Sequence, residues 1–182
     1  MVHFTRALVI AASFFAVAFG TPTPTKRTVA QVETDLRNIA TQVQTLDTQI
    51  RGFPASGLAG ALAIHNSAAP LNTAIQQCTT DVNNTGAVGD ADSIAILGIV
   101  QGFLPNILDA LSRISMDRAA FDAQPIGGLS ALVRVDLQNL SASTQALSNA
   151  LAANAAAAEK PAATSIESVL ATAFATAIAA YQ

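Results

Sequence analysis

Eight apolar residues, Val29, Val32, Leu36, Ile39, Val43, Leu46, Ile50 and Phe53, follow one another in steps of three and four. At 3.6 residues per turn that spacing keeps one side of an α-helix apolar for about seven turns. Such a seam is not stable facing water, so the helix must pack against others. The same spacing recurs about four more times downstream, and no alternating β-branched run competes with it. The reading is an all-α fold: a single antiparallel bundle of about five helices, joined by short connections.

The first helix is expected from about Thr28 to Arg51, stopped by Gly52, Phe53 and Pro54. A second starts near Ser56 or Gly57 and presents Leu58, Leu62, His65, Ala68, Leu71, Ile75, Cys78 and Val82. Pro70 falls inside it and predicts a kink or a division into two shorter helices, because proline removes a ladder hydrogen bond. Residues 83–90, with Gly86 and Gly89, read as a loop. Asp90, Asp92 or Ser93 can cap a third helix reaching about Phe121, apolar at Ile94, Leu97, Leu104, Ile107, Leu111 and Ile114, with Pro105 as a second kink. A turn at Gln124 to Gly128 precedes a fourth helix, striped by Leu129, Val133, Leu137, Leu140, Thr144, Leu147 and Leu151. That helix trails into the Ala-rich tract Ala152 to Ala158. Pro161 and Ser165 open the fifth, with Ile166, Leu170, Ala173 or Phe174, Ala177 and Tyr181 inward.

The first 27 residues read differently. His3 and Arg6 form a weakly basic head, Ala7 to Phe19 is an uncharged apolar run, and Ala18 and Gly20 suit cleavage before Thr21. That is the layout of a signal peptide over residues 1–20, and the run is short of the roughly 20 residues a membrane span needs. Residues 21–27 form a Pro-rich, pro-like spacer ending in Lys26 and Arg27, a dibasic processing site that would start the mature domain, 28–182, at Thr28. No second apolar run of spanning length is expected. Loss of residues 1–27 leaves six basic against 12 acidic residues, about −6 in net charge. An acidic chain without a Lys/Arg cluster lacks the grouped cations that bind phosphate backbones, so neither nucleic acid nor an anionic membrane surface is an expected partner.

Cys78 is the only cysteine, which excludes an intramolecular disulfide. Its place on an apolar stripe reads as a small buried hydrophobe, the alternative being an exposed thiol that pairs two chains. Two glycosylation tripeptides begin at Asn83, in the expected loop, and at Asn139, on the fourth helix. Thr21, Thr23 and Thr25 are candidate O-glycosylation positions if the spacer is retained.

Catalytic chemistry finds little support. His65 is the only histidine beyond the leader, and it sits one turn after Leu62 as a packed or rim residue. There is no Gly-x-Ser-x-Gly elbow, phosphate loop or His/Cys metal cluster. Asp90 and Asp92 resemble the start of a calcium loop, but Ala95 and Gln101 stand where its glycine and bidentate glutamate belong. The expectation is a protein that is no enzyme and holds no metal or cofactor.

The order of leader, spacer and Val29-to-Phe53 comb, with the segment Asp109-Ala-Leu-Ser-Arg-Ile-Ser-Met-Asp-Arg-Ala-Ala-Phe121, the Leu129-to-Ala153 stripe and the Ala-rich end at Tyr181, resembles fungal hydrophobic surface-binding protein A and the related cell wall galactomannoproteins. Where members usually carry lysine near the end of the third helix, this chain has Asp117 and Arg118. The resemblance implies a secreted, extracellular or wall-held, non-enzymatic mannoprotein-like chain. It would bind a long-chain fatty acid between its helices or adsorb to hydrophobic surfaces, with a secreted polyester hydrolase and, through glycans, wall polysaccharide as possible partners. The alternative is a passive structural glycoprotein of the wall without a ligand. If proline kinks splay the helices, an apolar cavity results, lined by Phe103, Leu104, Ile107, Leu111, Leu137, Leu140, Leu170 and Phe174; the competing reading makes these ordinary core residues. A carboxylate anchor would be a helix N-terminus, a Ser/Thr hydroxyl or Arg134.

Overall fold

The computed structural model describes residues 28–182. The expected signal peptide, the spacer, and the processing positions Gly20, Lys26 and Arg27 lie outside the described residues. Within them the chain forms six helices: α1 Val29–Gly52, α2 Gly57–Thr85, α3 Asp90–Met116, α4 Arg118–Asp122, α5 Leu129–Asn154 and α6 Lys160–Ala179. The Thr28 hydroxyl caps α1 by accepting the Gln31 N–H at 3.3 Å.

The sixth helix is the short α4, cut from the expected end of the third. The Asp117 N–H bonds back to the carbonyls of Arg113 and Ile114, and its backbone leaves the helical region. The turn swings Phe121 inward, where it stacks on Phe53 with ring centroids 4.2 Å apart. Helices α2 and α3 each continue through their prolines as one element, so Pro70 does not divide α2.

Two boundaries differ from expectation. Asn83, Asn84 and Thr85 belong to the last turn of α2, because the Thr85 hydroxyl ties that turn to the Asp81 carbonyl at 2.7 Å. Gly86, at φ +77°, then ends the helix in a conformation that favours glycine. Helix α5 stops at Asn154 before reaching Ala158. There the loops at this end of the bundle bind each other, Val88 N–H to the Asn154 carbonyl and Ala156 N–H to the Ser93 hydroxyl.

The absence of a further spanning-length run also needs correction, since α3 and α6 are both long and apolar enough by length and composition. Alanine, isoleucine and leucine raise their hydropathy. In the bundle each buries one face, as with Leu97, Phe103 and Leu111 of α3.

Consecutive long helices alternate in direction, as short connections require. Helix α1 packs on α2 and α3, α2 on α5, α5 on α6, and α6 on α3. The five long helices therefore close a ring in the order α1, α2, α5, α6, α3, and the pairs α1/α3, α2/α5 and α3/α6 run parallel. Cys78 is fully buried, and burial pushes its thiol up to about 12, which supports the small-hydrophobe reading.

Candidate functional site

Closing five helices into a ring has a geometric cost at the centre. With neighbouring axes about 9 Å apart, the middle of a regular pentagon lies about 8 Å from every axis. A helix with its side chains reaches only about 5–6 Å from its own axis. Large side chains must fill the difference or leave a void.

Here they fill it incompletely. An apolar cavity of about 100 Å³ runs between the five helices. Helix α1 contributes Leu36, Ile39, Val43, Leu46 and Ile50 to its wall, α2 Ile64, Leu71 and Ile75, and α3 Phe103, Ile107 and Leu111. Leu137 and Leu140 of α5 and Leu170 and Phe174 of α6 complete it. Seven of the eight expected positions thus face one space. Leu104 does not, packing half-buried against the core beside the wall. One residue step rotates a helix by about 100°, which turns Leu104 toward the flank of α3 while Phe103 faces the cavity.

The sequence reading missed the α1 and α2 walls, although the α1 comb was its strongest signal. Nothing in the spacing of the comb separates a side chain touching a neighbour from one facing a void. Two polar residues were missed as well: Asp136 and Ser148 line the cavity beside Thr144, which the α5 stripe includes. Asp136 lies one position before Leu137, at the edge of the stripe.

Asp136 has a partner on the neighbouring helix. His65 of α2 donates from Nδ1 to its carboxylate at 2.8 Å. Burial pushes the Asp136 carboxyl above its ordinary value, while the His65 hydrogen bond pulls it down. His65 is therefore a rim histidine held by an acid. Arg134 is exposed and outside the cavity lining.

A second space, about 210 Å³, lies on the outside of the seam between α5 and α6. Its walls include Thr144, Ser148, Leu170 and Phe174, which also line the central cavity. These four side chains are the partition between inside and outside. Among the described residues no group of three or more His, Cys, Asp or Glu side chains is placed to hold a metal ion.

A ring of five amphipathic helices around an apolar void, with a thin side-chain wall on one seam, defines a helical bundle built to accommodate an apolar guest. The sequence matches hydrophobic surface binding protein A over residues 29–153, and the chain belongs to that family. Among solved structures it is similar to AfMP4p in complex with palmitic acid, at 32% identity over 85% of this chain and 99% of that one, with a TM-score of 0.78. Ligand-binding domains 1 and 2 of the Penicillium marneffei MP1 protein, both complexed with arachidonic acids, share the fold. Domain 1 is 17% identical over 85% of this chain and 97% of that one, with a TM-score of 0.75. Domain 2 is 16% identical over 87% and 97%, with a TM-score of 0.76. No curated protein matches the chain by sequence.

Proposed function

We propose that this chain is an exported, non-catalytic protein that holds a long-chain acyl amphiphile, such as a fatty acid, in the cavity between its five long helices. The observation that carries this reading is the central void walled by aliphatic side chains of every long helix. The 32% identical AfMP4p, in complex with palmitic acid, supports it. Burying about 15 methylenes gains on the order of 12 kcal/mol gross, at ~0.8 kcal/mol each. After the costs of association and ordering, micromolar binding needs no strong polar contact.

The space as it stands, about 100 Å³, is below the ~150 Å³ that suffices for benzene. A long acyl chain therefore requires the ring to widen. The α5–α6 seam is the place for it, where four side chains alone separate the cavity from a groove of twice its size. Kinks at Pro70 and Pro105 would assist the widening.

Residues 1–20 would direct export, and cleavage after Lys26 and Arg27 would free a domain beginning at its own helix cap, Thr28. Asn83 and Asn139 are both exposed, and N-linked sugars there would retain the protein in wall polysaccharide. A second reading, adsorption to an apolar solid, where a polyester hydrolase would be its partner, draws for the adsorption on the family description and on the exposed Met116 and Ile126 near one end of the bundle.

Native mass spectrometry of the secreted protein, purified without detergent and then extracted with organic solvent, tests the first reading. The expected result is an extractable increment of about one fatty acid per chain. A ligand-free chain that takes up no added fatty acid refutes it and leaves adsorption or a passive wall role.

A further inference from the structure

Helix α6 closes the ring, yet it is tied to its neighbours unevenly. At its C-terminal end the Tyr181 hydroxyl donates to the Ile114 carbonyl at 2.6 Å, and the Arg118 guanidinium donates to the carbonyls of Ala180 and Gln182 at 2.8 and 2.7 Å. At its start the Lys160 ammonium reaches the Ala153 carbonyl at 3.3 Å on the exposed surface. Between Pro161 and Ala179, among the described residues, no α6 side chain bonds to another helix, and Thr172 and Thr176 donate to carbonyls of α6 itself. Two other seams carry side-chain ties, Arg51 to Asp109 between α1 and α3 and His65 to Asp136 between α2 and α5, each at 2.8 Å.

Burial along α6 is uneven in the same sense. From Lys160 to Val169 only Ala163 and Ile166 are buried, whereas Leu170, Phe174, Ala177 and Tyr181 follow toward the tied end. The last tie before the helix, from the Ala156 N–H to the Ser93 hydroxyl, leaves Ala157, Ala158 and Glu159 between it and Lys160. A stiff helix fixed at one end moves by tilting, with the flanking loop absorbing the change. Leu170 lies about 16 Å along the axis from Tyr181, so a tilt of about 15° carries it about 4 Å, the contact distance of one row of methylenes. Leu170 is one of the four side chains that part the cavity from the outer groove, and its displacement joins the two spaces.

We propose that α6 is the gate of the cavity: it pivots about its C-terminal end, held by Tyr181 on Ile114 and by Arg118, and its first half swings away from α5 to admit and release the acyl chain. This rests on the carrier reading above and names the element that opens for the ligand.

The rate of release reads the gate. Gln145→Cys with Ala171→Cys places two thiols at exposed positions on the α5 and α6 walls of the outer groove, neither of them lining the central cavity. Cys78 is buried, with its thiol pushed up to about 12, and stays unreactive. The secreted, processed variant is loaded with dodecanoate and either joined by a short bismaleimide or capped at both thiols with N-ethylmaleimide, and release into phosphatidylcholine vesicles is followed. Joining is expected to slow release by about tenfold or more relative to the capped chain. The same slowing is expected for 1-dodecanol, because the gate passes the chain whatever its head. Hydrogen exchange of the unsubstituted chain reads the same motion and serves if the variant fails to fold. Amides of residues 165–170 should exchange faster than those of 174–179 and should slow when dodecanol is added. Release as fast from the joined chain as from the capped one, or exchange that is even along α6 and unaltered by the amphiphile, overturns the gate and leaves the carrier reading intact. If neither amphiphile binds the unsubstituted chain, both fall.

Discussion

Two regions of this bundle solve the same packing problem in opposite ways. At the end where α1 meets α4 and the C-terminus, Phe53, Phe121 and Tyr181 form an aromatic cluster, Phe121 being 1% exposed. Tyr181 donates its hydroxyl to the Ile114 carbonyl at 2.6 Å, and Arg118 donates to the Ala180 and Gln182 carbonyls. Along the α5–α6 seam the contacts are made by Ala, Ser and Thr around Leu170 and Phe174, with open space on both sides. One region is filled and locked, and the other is left thin. The lesson is that a five-helix ring can be stable without filling its centre, provided one end fixes the helices relative to each other.

The comparison breaks first where the lock is removed. Phe121→Ala is expected to cost about 3–5 kcal/mol, since a large ring is deleted from a site with no room to relax. Phe174→Ala deletes the same ring from a wall that already borders voids, has fewer contacts to lose, and should cost about 2 kcal/mol. Urea unfolding of the two variants measures the gap. Equal losses would mean that the seam is packed as tightly as the aromatic end.

Filling the void is the next largest test. Leu137→Trp places extra volume in the cavity, where ordinary overpacking would cost about 1–3 kcal/mol. With space to occupy, it should cost less than that. Added dodecanol at 100 times its dissociation constant should stabilise the wild-type chain by about 2.7 kcal/mol and the variant by almost nothing. Thermal unfolding with and without the alcohol reads both effects. Tyr181→Phe, smaller again, removes one buried hydrogen bond and should cost about 1 kcal/mol, with the Ile114 carbonyl losing its side-chain donor.

The locked end and the thin seam differ in how far the sequence announces them. Helix α1 was legible nearly to the residue, because eight apolar positions in phase and a Gly-Phe-Pro stop leave one solution. The end of α3 was not. Its apolar phase runs through Ile114 and resumes at Phe121, whose stacking on the distant Phe53 has no local signal in the sequence. Likewise, the 3.6-residue period places Ile107, Leu111, Leu137, Leu140 and Leu170 inward but cannot say that inward means a void. That depends on the number of helices in the ring and on which of them are neighbours, and neither quantity is local. Asp136 was hidden for the same reason, since its partner His65 is 71 residues away.

The smallest expected effect concerns the two aspartates that report on the cavity and on the outside of the ring. Asp109 bridges Arg113 and Arg51 on the α1/α3 surface, and the hydrogen bond from Arg113 holds its carboxyl below the ordinary 3.8. Its contribution to stability is fully present above that value and is lost as pH falls through its lowered folded-state value. Asp136 behaves oppositely. Burial raises its carboxyl above 3.8, so from that pH up through its raised value the folded chain holds a proton the unfolded chain has released. Stability then declines as pH rises across that window. Asp136→Asn should flatten the decline above 3.8 and leave the acid limb unchanged, whereas Asp109→Asn should flatten the acid limb alone. Urea unfolding between pH 2.5 and pH 7, at steps of about half a unit, separates the two slopes. If Asp136→Asn left the upper window unaltered, the His65 pair would be offsetting burial completely. The cavity wall would then be electrically as quiet as the aromatic end.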